Sequence, residues 1–458
     1  MAWLHNNVVL PLVEPQRHSK LGRLLRRLDR FERSPKEKQQ ALQATAILEL
    51  LIHAYETTPY YRRLFDEVGF HPSTWKAGDP IPVPTLTREM LRANEVELRS
   101  RRYAMSDLHA AATGGTTSTP VRLWRDTEAL RKKTALQYHL NRLAGYDQGD
   151  SIVMIWGAER DLELNPSWRY RLYEERVMRR YAAAAGQVGD EVFDRFLHTL
   201  NTRRPKVLYG YGITLAKFAE YVLVHKLKAH KPKVIITTAE AISEVEREFI
   251  ERAFGSRPTD QYGSRDVGMI GFECKAGAGL HFHPAGSFIE FEYAGMTPDG
   301  PMHKLIVTDL LNYGMPMIRY DTGDCVILAD ACECGKWYPK IKKLLGRVND
   351  NVMMLDGTEV PGITFATRMA LLKQPFELIT QVQIVQKQVG FLTVNYAAHG
   401  ETRAIEEELH RMRAVIDDIM KEPVQLSFVR LPEILRESSG KLRFCISEVK
   451  RNEVLQAH

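Results

Sequence analysis

Three short segments combine residue types that suit nucleotide chemistry. In Thr113-Gly-Gly-Thr-Thr-Ser-Thr119-Pro120, glycines let a backbone approach a phosphate closely, and N–H groups and hydroxyls supply donors. An ordinary polar turn explains the segment equally well, and no Gly-Lys-Ser/Thr follows to make a Walker loop. In Tyr262-Gly263-Ser264-Arg265-Asp266 the ring can stack on a base, and the carboxylate can hold magnesium against phosphates. A helix-entry turn with a capping acid is the plainer explanation. Arg319-Tyr-Asp-Thr-Gly-Asp324 offers two carboxylates around a glycine, which suits a ribose diol or a simple β-turn.

Two further segments follow. Gly346-Arg347 precedes Asn349-Asp350 at a change in sequence pattern. Lys441 follows Ser438-Ser-Gly440, and a lysine on such a loop can reach a distant cleft or simply be solvated. Cys332-Glu-Cys334, with Cys274 and His281 upstream, could make a closed tetrahedral zinc site of three thiolates and one imidazole. Four unrelated residues are the alternative, and His283 is the alternative imidazole. Cys325 and Cys445 read as core residues.

These segments need a scaffold, and 458 residues can bury a large core in more than one domain. A composition of 44% hydrophobic and 26% charged residues is that of a globular protein. The net charge of +6 suits anionic substrates without requiring a polyanion. The densest basic run is Arg23, Arg26, Arg27, Arg30 and Arg33, a solvated helical face or a membrane or polyanion patch. Five cysteines argue against a disulfide framework and for a reducing compartment. No apolar run reaches the ~18 residues of a membrane helix. Met1–Val13 lacks the basic flank and small-residue site of a secretory signal. A cytoplasmic enzyme is expected.

Apolar spacing predicts helices over 39–55, ended by Pro59, and over 128–143. Val121–Trp124 and Pro232–Thr238 read as strands. Ser243 and Glu246 form a capping box opening a helix that Gly255 closes. Strand, helix and Gln261-Tyr262-Gly263 suggest a parallel α/β unit. Phe288–Phe291 and Lys304–Val307 begin a β-rich part. Leu378–Gln386, Phe391–Tyr396, a helix over 404–420 and Val424–Val429 make a small α+β unit. The fold class is therefore α/β: a large N-terminal domain, 1–348, with a β-rich subdomain, and a small C-terminal α+β domain, 349–458.

The order and separation of Thr113–Pro120, Ala239-Glu240, Tyr262–Asp266, Tyr320–Asp324, Gly346-Arg347 and Gly440-Lys441 resemble the adenylate-forming superfamily of acyl-CoA synthetases. Within it the chain is most similar to the phenylacetate–CoA ligase and CapK-type branch, a likeness supported by His53-Ala-Tyr55 and Pro59-Tyr-Tyr61 and covering nearly the whole chain. The resemblance implies ATP-dependent, AMP-forming activation of a carboxylic acid, with coenzyme A as the expected acceptor. It implies that Thr113, Gly114, Gly115, Thr116 and Thr117 hold the phosphates. Ala239 and Glu240 would border the adenine, with Tyr262, Gly263 and Ser264 beside it. Asp266 would be the magnesium-linked acid, Asp324 would bind the ribose with Arg347 near it, and Lys441 would be the adenylation lysine. The C-terminal domain would turn on a hinge at Asn349 and Asp350. Some members of the branch carry a similar Cys/His set with structural zinc. Three positions depart from the pattern: Ser118 stands in place of a glycine, Asp266 in place of glutamate, and Asn349 in place of a charged hinge residue.

The acid is not readable. Tyr209, Tyr211, Gly212 and Trp156 are the candidate acyl-pocket residues, and a packing role for the tyrosines is as well supported. A CapK-type enzyme passing the acyl group to an amine, hydroxyl or carrier thiol is the alternative. A zinc-containing nucleic-acid-binding protein is a remote one, because no basic stripe with interleaved aromatics is present. A homodimer is only the common default.

Overall fold

The computed structural model describes residues 15–112, 122–156, 172–184, 189–240, 242–277, 279–297, 300–347, 351–370, 376, 378–400, 402–434 and 444–449. A short antiparallel pair comes first, β1 (Leu108–Ala112) with β2 (Arg122–Asp126). An 11-stranded sheet follows. Its parallel part is built from β3 (Ile152–Trp156), β4 (Arg180–Ala184), β5 (Val207–Tyr211), β6 (Val234–Thr238) and β7 (Thr259–Ser264). β5 is buried along its whole length, as expected of a parallel strand covered on both faces.

Antiparallel strands complete the sheet: β8 (Gly268–Glu273), β9 (Leu280–Phe282), β10 (Ser287–Thr297), β11 (Gly300–Asp309), β12 (Tyr320–Leu328) and β13 (Lys340–Arg347). The order is β10-β11-β12-β13-β9-β8-β7-β6-β5-β3-β4. The expected β-rich part is thus continuous with the α/β part, and β7 is the strand at which the direction changes. A separate pair, β14 (Asn351–Met353) with β15 (Glu359–Pro361), precedes a four-stranded sheet. That sheet contains β16 (Ile379–Gln388), β17 (Phe391–Ala398), β18 (Gln425–Arg430) and β19 (Cys445–Ser447), in the order β18-β17-β16-β19.

Ten α-helices accompany these strands among the described residues. They are α1 (Pro15–Glu32), α2 (Lys36–Thr57), α3 (Pro59–Glu67), α4 (Arg88–Ala93) and α5 (Thr127–Leu143), then α6 (Asp190–Arg203), α7 (Gly212–Val224), α8 (Glu244–Phe254), α9 (Gly362–Ala370) and α10 (Thr402–Met420). Pro59 ends α2 but also opens α3, where its fixed φ and missing N–H cost nothing at the first turn. Ser243 and Glu246 form the capping box of α8, and Gly255 takes the left-handed conformation that ends it. Both outcomes follow from satisfying the unpaired N–H and C=O groups of helix ends.

Separate apolar cores form on either side of β14. Val153, Ile155, Leu208, Phe218 and Phe254 pack with the parallel strands. Leu50, Phe65, Ile270, Phe282, Val307 and Tyr320 form a second core under the antiparallel strands. Ile384, Val394, Ile405, Met412, Ile416 and Cys445 form a third between α10 and the four-stranded sheet. Cys325 is buried as well. Among the described residues no helix is long and apolar enough to cross a membrane.

Candidate functional site

The carboxyl ends of β3, β5, β6 and β7 face one edge of the sheet, the edge where open α/β sheets bind ligands. Trp156 ends β3, Tyr211 ends β5 and Gly212 begins α7, while Thr238 ends β6 just before Ala239 and Glu240. Ser264 ends β7. The parallel topology therefore assembles candidates that lie more than a hundred residues apart in the chain.

Ala239 has φ of 69°, a left-handed conformation that costs a non-glycine residue energy. It turns the chain so that the Glu240 carboxylate meets the start of α7, where Ile213 N–H donates to Oε2 at 3.2 Å. An acid at a helix N-terminus is favoured by the exposed N–H groups and the helix dipole. Gly212 is required here for space. A Cβ at that position would lie 2.8 Å from the Glu240 carbonyl oxygen and 2.5 Å from Ile242 Cγ2.

Of the two tyrosines proposed for the acyl pocket, Tyr209 is buried against Tyr146, Ile152, Val207 and Ile236. That burial raises its phenol pKa. Its packing role is plain, whereas Tyr211 stands nearer the strand end. The side chains of Trp156 and Arg347 lie outside the described residues. Arg347 itself pairs in register with Asp324 across β13 and β12.

Tyr262 lies in β7 and Asp266 in the hairpin turn between β7 and β8, rather than at a helix entry. Ser264 Oγ receives the Asp266 and Val267 N–H groups at 3.2 and 3.3 Å. Arg125 donates to the Arg265 carbonyl, and Lys133 donates to the Val267 carbonyl at 2.5 Å and to Asp309 at 2.6 Å. Burial lowers the Lys133 pKa, and Asp309 opposes that shift. The turn carrying Asp266 is thus held from below by two cations on neighbouring elements.

The second and third sequence segments exchange hydrogen bonds. Tyr262 O–H donates to Asp324 Oδ2 at 2.6 Å. Tyr320 O–H donates to Asp266 Oδ2 at 2.7 Å. Arg88 Nη2 lies 3.5 Å from the same Asp266 oxygen. Leu86 pairs with β12 at Tyr320, and this contact brings Arg88 to the site. Sequence reading missed Arg88 and the role of Tyr320. The available signal was only that Tyr320 lies within the third segment.

Cys274 follows β8, His281 lies in β9, and Cys332 and Cys334 lie between β12 and β13. These strands are neighbours in the sheet, so their ends converge. One ligand atom from each residue lies within 4.8 Å of all the others. Cys274 Sγ is 3.5 Å from Cys332 Sγ, and Cys334 Sγ is 3.4 Å from His281 Nε2. Tetrahedral zinc, with bonds of about 2.3 Å to sulfur and 2.0–2.1 Å to nitrogen, requires spacings of about 3.5–3.8 Å. The donor set and its spacing fit that ion. Burial and its thiol neighbours push Cys274 up to about 11. For Cys332, burial is outweighed by hydrogen bonds from Cys334 and Cys274, leaving it near about 7.

His283 is fully buried on the same side and does not join this set. It lies 3.3 Å from Glu32, which also accepts from Tyr338 at 2.8 Å and pairs with Lys336. Burial raises the Glu32 pKa, and His139, His283 and Lys336 more than reverse that effect. Thr113, Gly114, Gly115, Thr116 and Thr117, the hinge residues Asn349 and Asp350, and Lys441 lie outside the described residues.

No family model matches the chain. It is 25% identical over 395 residues to the phenylacetate-coenzyme A ligase of Thermus thermophilus, covering 79% of this chain and 81% of the relative. It is 22% identical over 375 residues to protein CapK of Staphylococcus aureus, covering 80% of each. Among solved structures it resembles 2-hydroxyisobutyryl-CoA ligase in the postadenylation state. The TM-score is 0.71 at 19% identity, over 93% of this chain and 92% of the other. The same ligase in its thioesterification state superimposes with a TM-score of 0.56.

Proposed function

Because the chain belongs to the adenylate-forming superfamily, in the branch of the phenylacetate–CoA ligases and CapK, we propose that it activates a carboxylic acid with ATP. The products are an acyl-adenylate and pyrophosphate, and the acyl group then passes to coenzyme A. The observation that carries this reading is the crossed pairing of Tyr262 with Asp324 and Tyr320 with Asp266. It sets two carboxylates, suited to a ribose and to a metal, beside the ligand-binding edge of one sheet.

A carboxylate attacks the α-phosphate of ATP only if the repulsion between two anions is offset. Asp266 would hold magnesium, which neutralises charge on the phosphates when bound. Lys441 would supply a second cation, and the Thr113–Thr117 loop would hold the phosphates. Tyr262 would stack on the adenine, bordered by Ala239 and Glu240, while Asp324 accepts from the ribose hydroxyls. Tyr211, Gly212 and Trp156 would line the acyl pocket.

We place the domain boundary at 348/349, with 349–458 as a lid that brings Lys441 in for the first step and removes it for the second. Two states of one neighbouring ligase superimpose on this chain with TM-scores of 0.71 and 0.56, which supports a fold whose parts change place. Cys274, His281, Cys332 and Cys334 would hold a structural zinc that closes the ends of β8 and β9 onto the β12–β13 loop. We place the enzyme in the cytoplasm, because five cysteines in 458 residues are too few for the disulfide framework of an oxidising compartment. Resemblance to CapK supports a second reading within the class, with an amine, hydroxyl or carrier thiol as acceptor.

A hydroxamate-trapping screen of carboxylic acids with ATP and magnesium tests the reaction and identifies the acid. Acid-dependent pyrophosphate exchange should vanish in Lys441→Ala. Failure of the metal-replete protein to bind ATP, or to consume it with any acid, would overturn the proposal.

A further inference from the structure

A second group of metal-ligating side chains lies beside the Cys/His set, and the adenylation reading does not use it. Glu32 ends α1, His139 lies in α5, and His283 follows β9. One ligand atom from each lies within 4.8 Å of the other two. Glu32 Oε2 is 3.3 Å from His283 Nε2 and 3.7 Å from His139 Nε2. Tetrahedral coordination with bonds of about 2.0–2.1 Å to nitrogen and oxygen sets ligand atoms about 3.3–3.4 Å apart. The observed separations are close to that spacing.

The nitrogens of the two imidazoles are not otherwise satisfied. His139 is 2% exposed and His283 is fully buried. Yet neither nitrogen of His139, nor Nε2 of His283, makes a hydrogen bond of acceptable geometry. Leaving such groups unpaired in the interior is costly. Both rings face one carboxylate oxygen, to which Tyr338 O–H already donates at 2.8 Å. The rings meet almost at right angles, 84° between planes with centroids 5.2 Å apart. A single cation where the three side chains converge would satisfy both Nε2 atoms at once.

The surroundings suit such an ion, at some cost. Asp29 Oδ1 lies 3.4 Å from His139 Nδ1, where a carboxylate fixes the tautomer that leaves Nε2 with a lone pair. Lys336 pairs with the second oxygen of Glu32 and is itself partly exposed. It balances the carboxylate, and it can withdraw to solvent when a divalent ion takes over that charge. Ala285 N–H reaches His283 Nδ1 at 3.3 Å, which leaves the proton of the neutral ring on Nε2. Metal binding moves this proton to Nδ1 and gives up that long contact. Displacing Lys336 and turning the His283 tautomer both make this site weaker than the thiolate set, so it fills only when the ion is supplied.

We propose that Glu32, His139 and His283 form a second metal site, for a divalent first-row ion such as zinc or cobalt(II). Two imidazoles and a carboxylate suit such ions, and they lack the thiolates that favour softer metals. The ion ties α1 and α5 to the end of β9, next to the place where the Cys/His set ties β8 and β9 to the β12–β13 loop. The site stands whether or not the chain activates an acid.

The test is equilibrium dialysis of the full, zinc-loaded chain against cobalt(II), with metal counting and visible absorption. One further ion per chain is expected, showing the d–d bands of cobalt held by nitrogen and oxygen and no thiolate charge-transfer band. Outer partners alone contribute roughly 10–100-fold to metal affinity. His139→Gln, which removes a ligand, should therefore bind cobalt at least about a hundredfold more weakly, while its retained zinc and circular dichroism report an intact fold. Lys336→Met removes the competing cation and should bind cobalt about tenfold more tightly, a gain that a purely structural cluster would not give. Should His139→Gln fail to fold, the Lys336→Met comparison still decides. Cobalt taken up only at the thiolate set, uptake unaltered by His139→Gln, or no gain in Lys336→Met overturns the proposal.

Discussion

The Tyr320 hydroxyl lies 2.7 Å from Asp266 Oδ2 and donates to it from 54 residues away in sequence. Both side chains are nearly inaccessible, so the bond fixes the orientation of the carboxylate. The reciprocal bond from Tyr262 to Asp324 makes the two segments mutually dependent.

Tyr320→Phe keeps the ring and deletes only this donor. A hydrogen bond to a charged group contributes roughly 1.5–3 kcal/mol, so roughly ten- to hundredfold more magnesium should be needed for half-maximal pyrophosphate exchange. The maximal rate should stay close to wild type. Titration of exchange against magnesium measures this, and an unaltered metal dependence would remove Tyr320 from the positioning of Asp266.

Tyr262→Phe is predicted to retain stacking while leaving Asp324 less constrained. The KM for ATP should rise about tenfold, equivalent to ~1.4 kcal/mol, and the KM for the acid should move little. Steady-state kinetics with each substrate varied in turn separate these. An effect confined to the acid would place Tyr262 elsewhere in the reaction.

Gly212→Ala tests the close approach between α7 and the Ala239–Glu240 turn. The new methyl meets a backbone oxygen at 2.8 Å and Ile242 Cγ2 at 2.5 Å. Overpacking of this kind costs about 1–3 kcal/mol. Urea unfolding should show that loss, and ATP affinity should fall with it. Wild-type stability and affinity would refute the spatial argument.

Zinc removal should loosen the contact between the β12–β13 loop and the β8–β9 ends. One zinc per chain is expected by mass spectrometry, falling towards zero in Cys332→Ser. Chelation should lower the melting temperature of the wild type while leaving that of the variant unchanged. A zinc-free wild-type protein with full thermal stability contradicts the site.

Asp260 gives a pH-dependent test of the fold. Burial raises its pKa to about 6, against the opposing pull of Arg247 and Thr237. A carboxyl whose folded pKa exceeds its unfolded value stabilises the fold at low pH, and that contribution is lost as pH rises from about 4 through 6. Urea midpoints across this range should show a component that declines with pH in the wild type and is missing in Asp260→Asn. Parallel profiles for the two proteins would deny Asp260 the raised pKa.

The local fold was legible because its causes are local. Ser243, Glu246 and Gly255 mark the ends of α8 through groups only a few residues away. Ile405, Leu409, Met412, Ile416 and Ile419 reveal α10 by a spacing that any buried helical face must have. β19, β14 and β15 were not legible, since three-residue strands carry too little pattern to stand out. The sequence also separated the core cysteines Cys325 and Cys445 from the three with ligand spacing.

What the sequence determined by itself was the supply of chemical groups, their order along the chain, and most of the elements that carry them. Tertiary structure decided which groups meet. Tyr262 reaches Asp324 because β7 and β12 belong to one sheet, and the Cys/His set closes because β8, β9, β12 and β13 lie side by side. Such meetings depend on register and strand order, which are set by burial across the whole sheet and leave no mark on neighbouring residues in the chain.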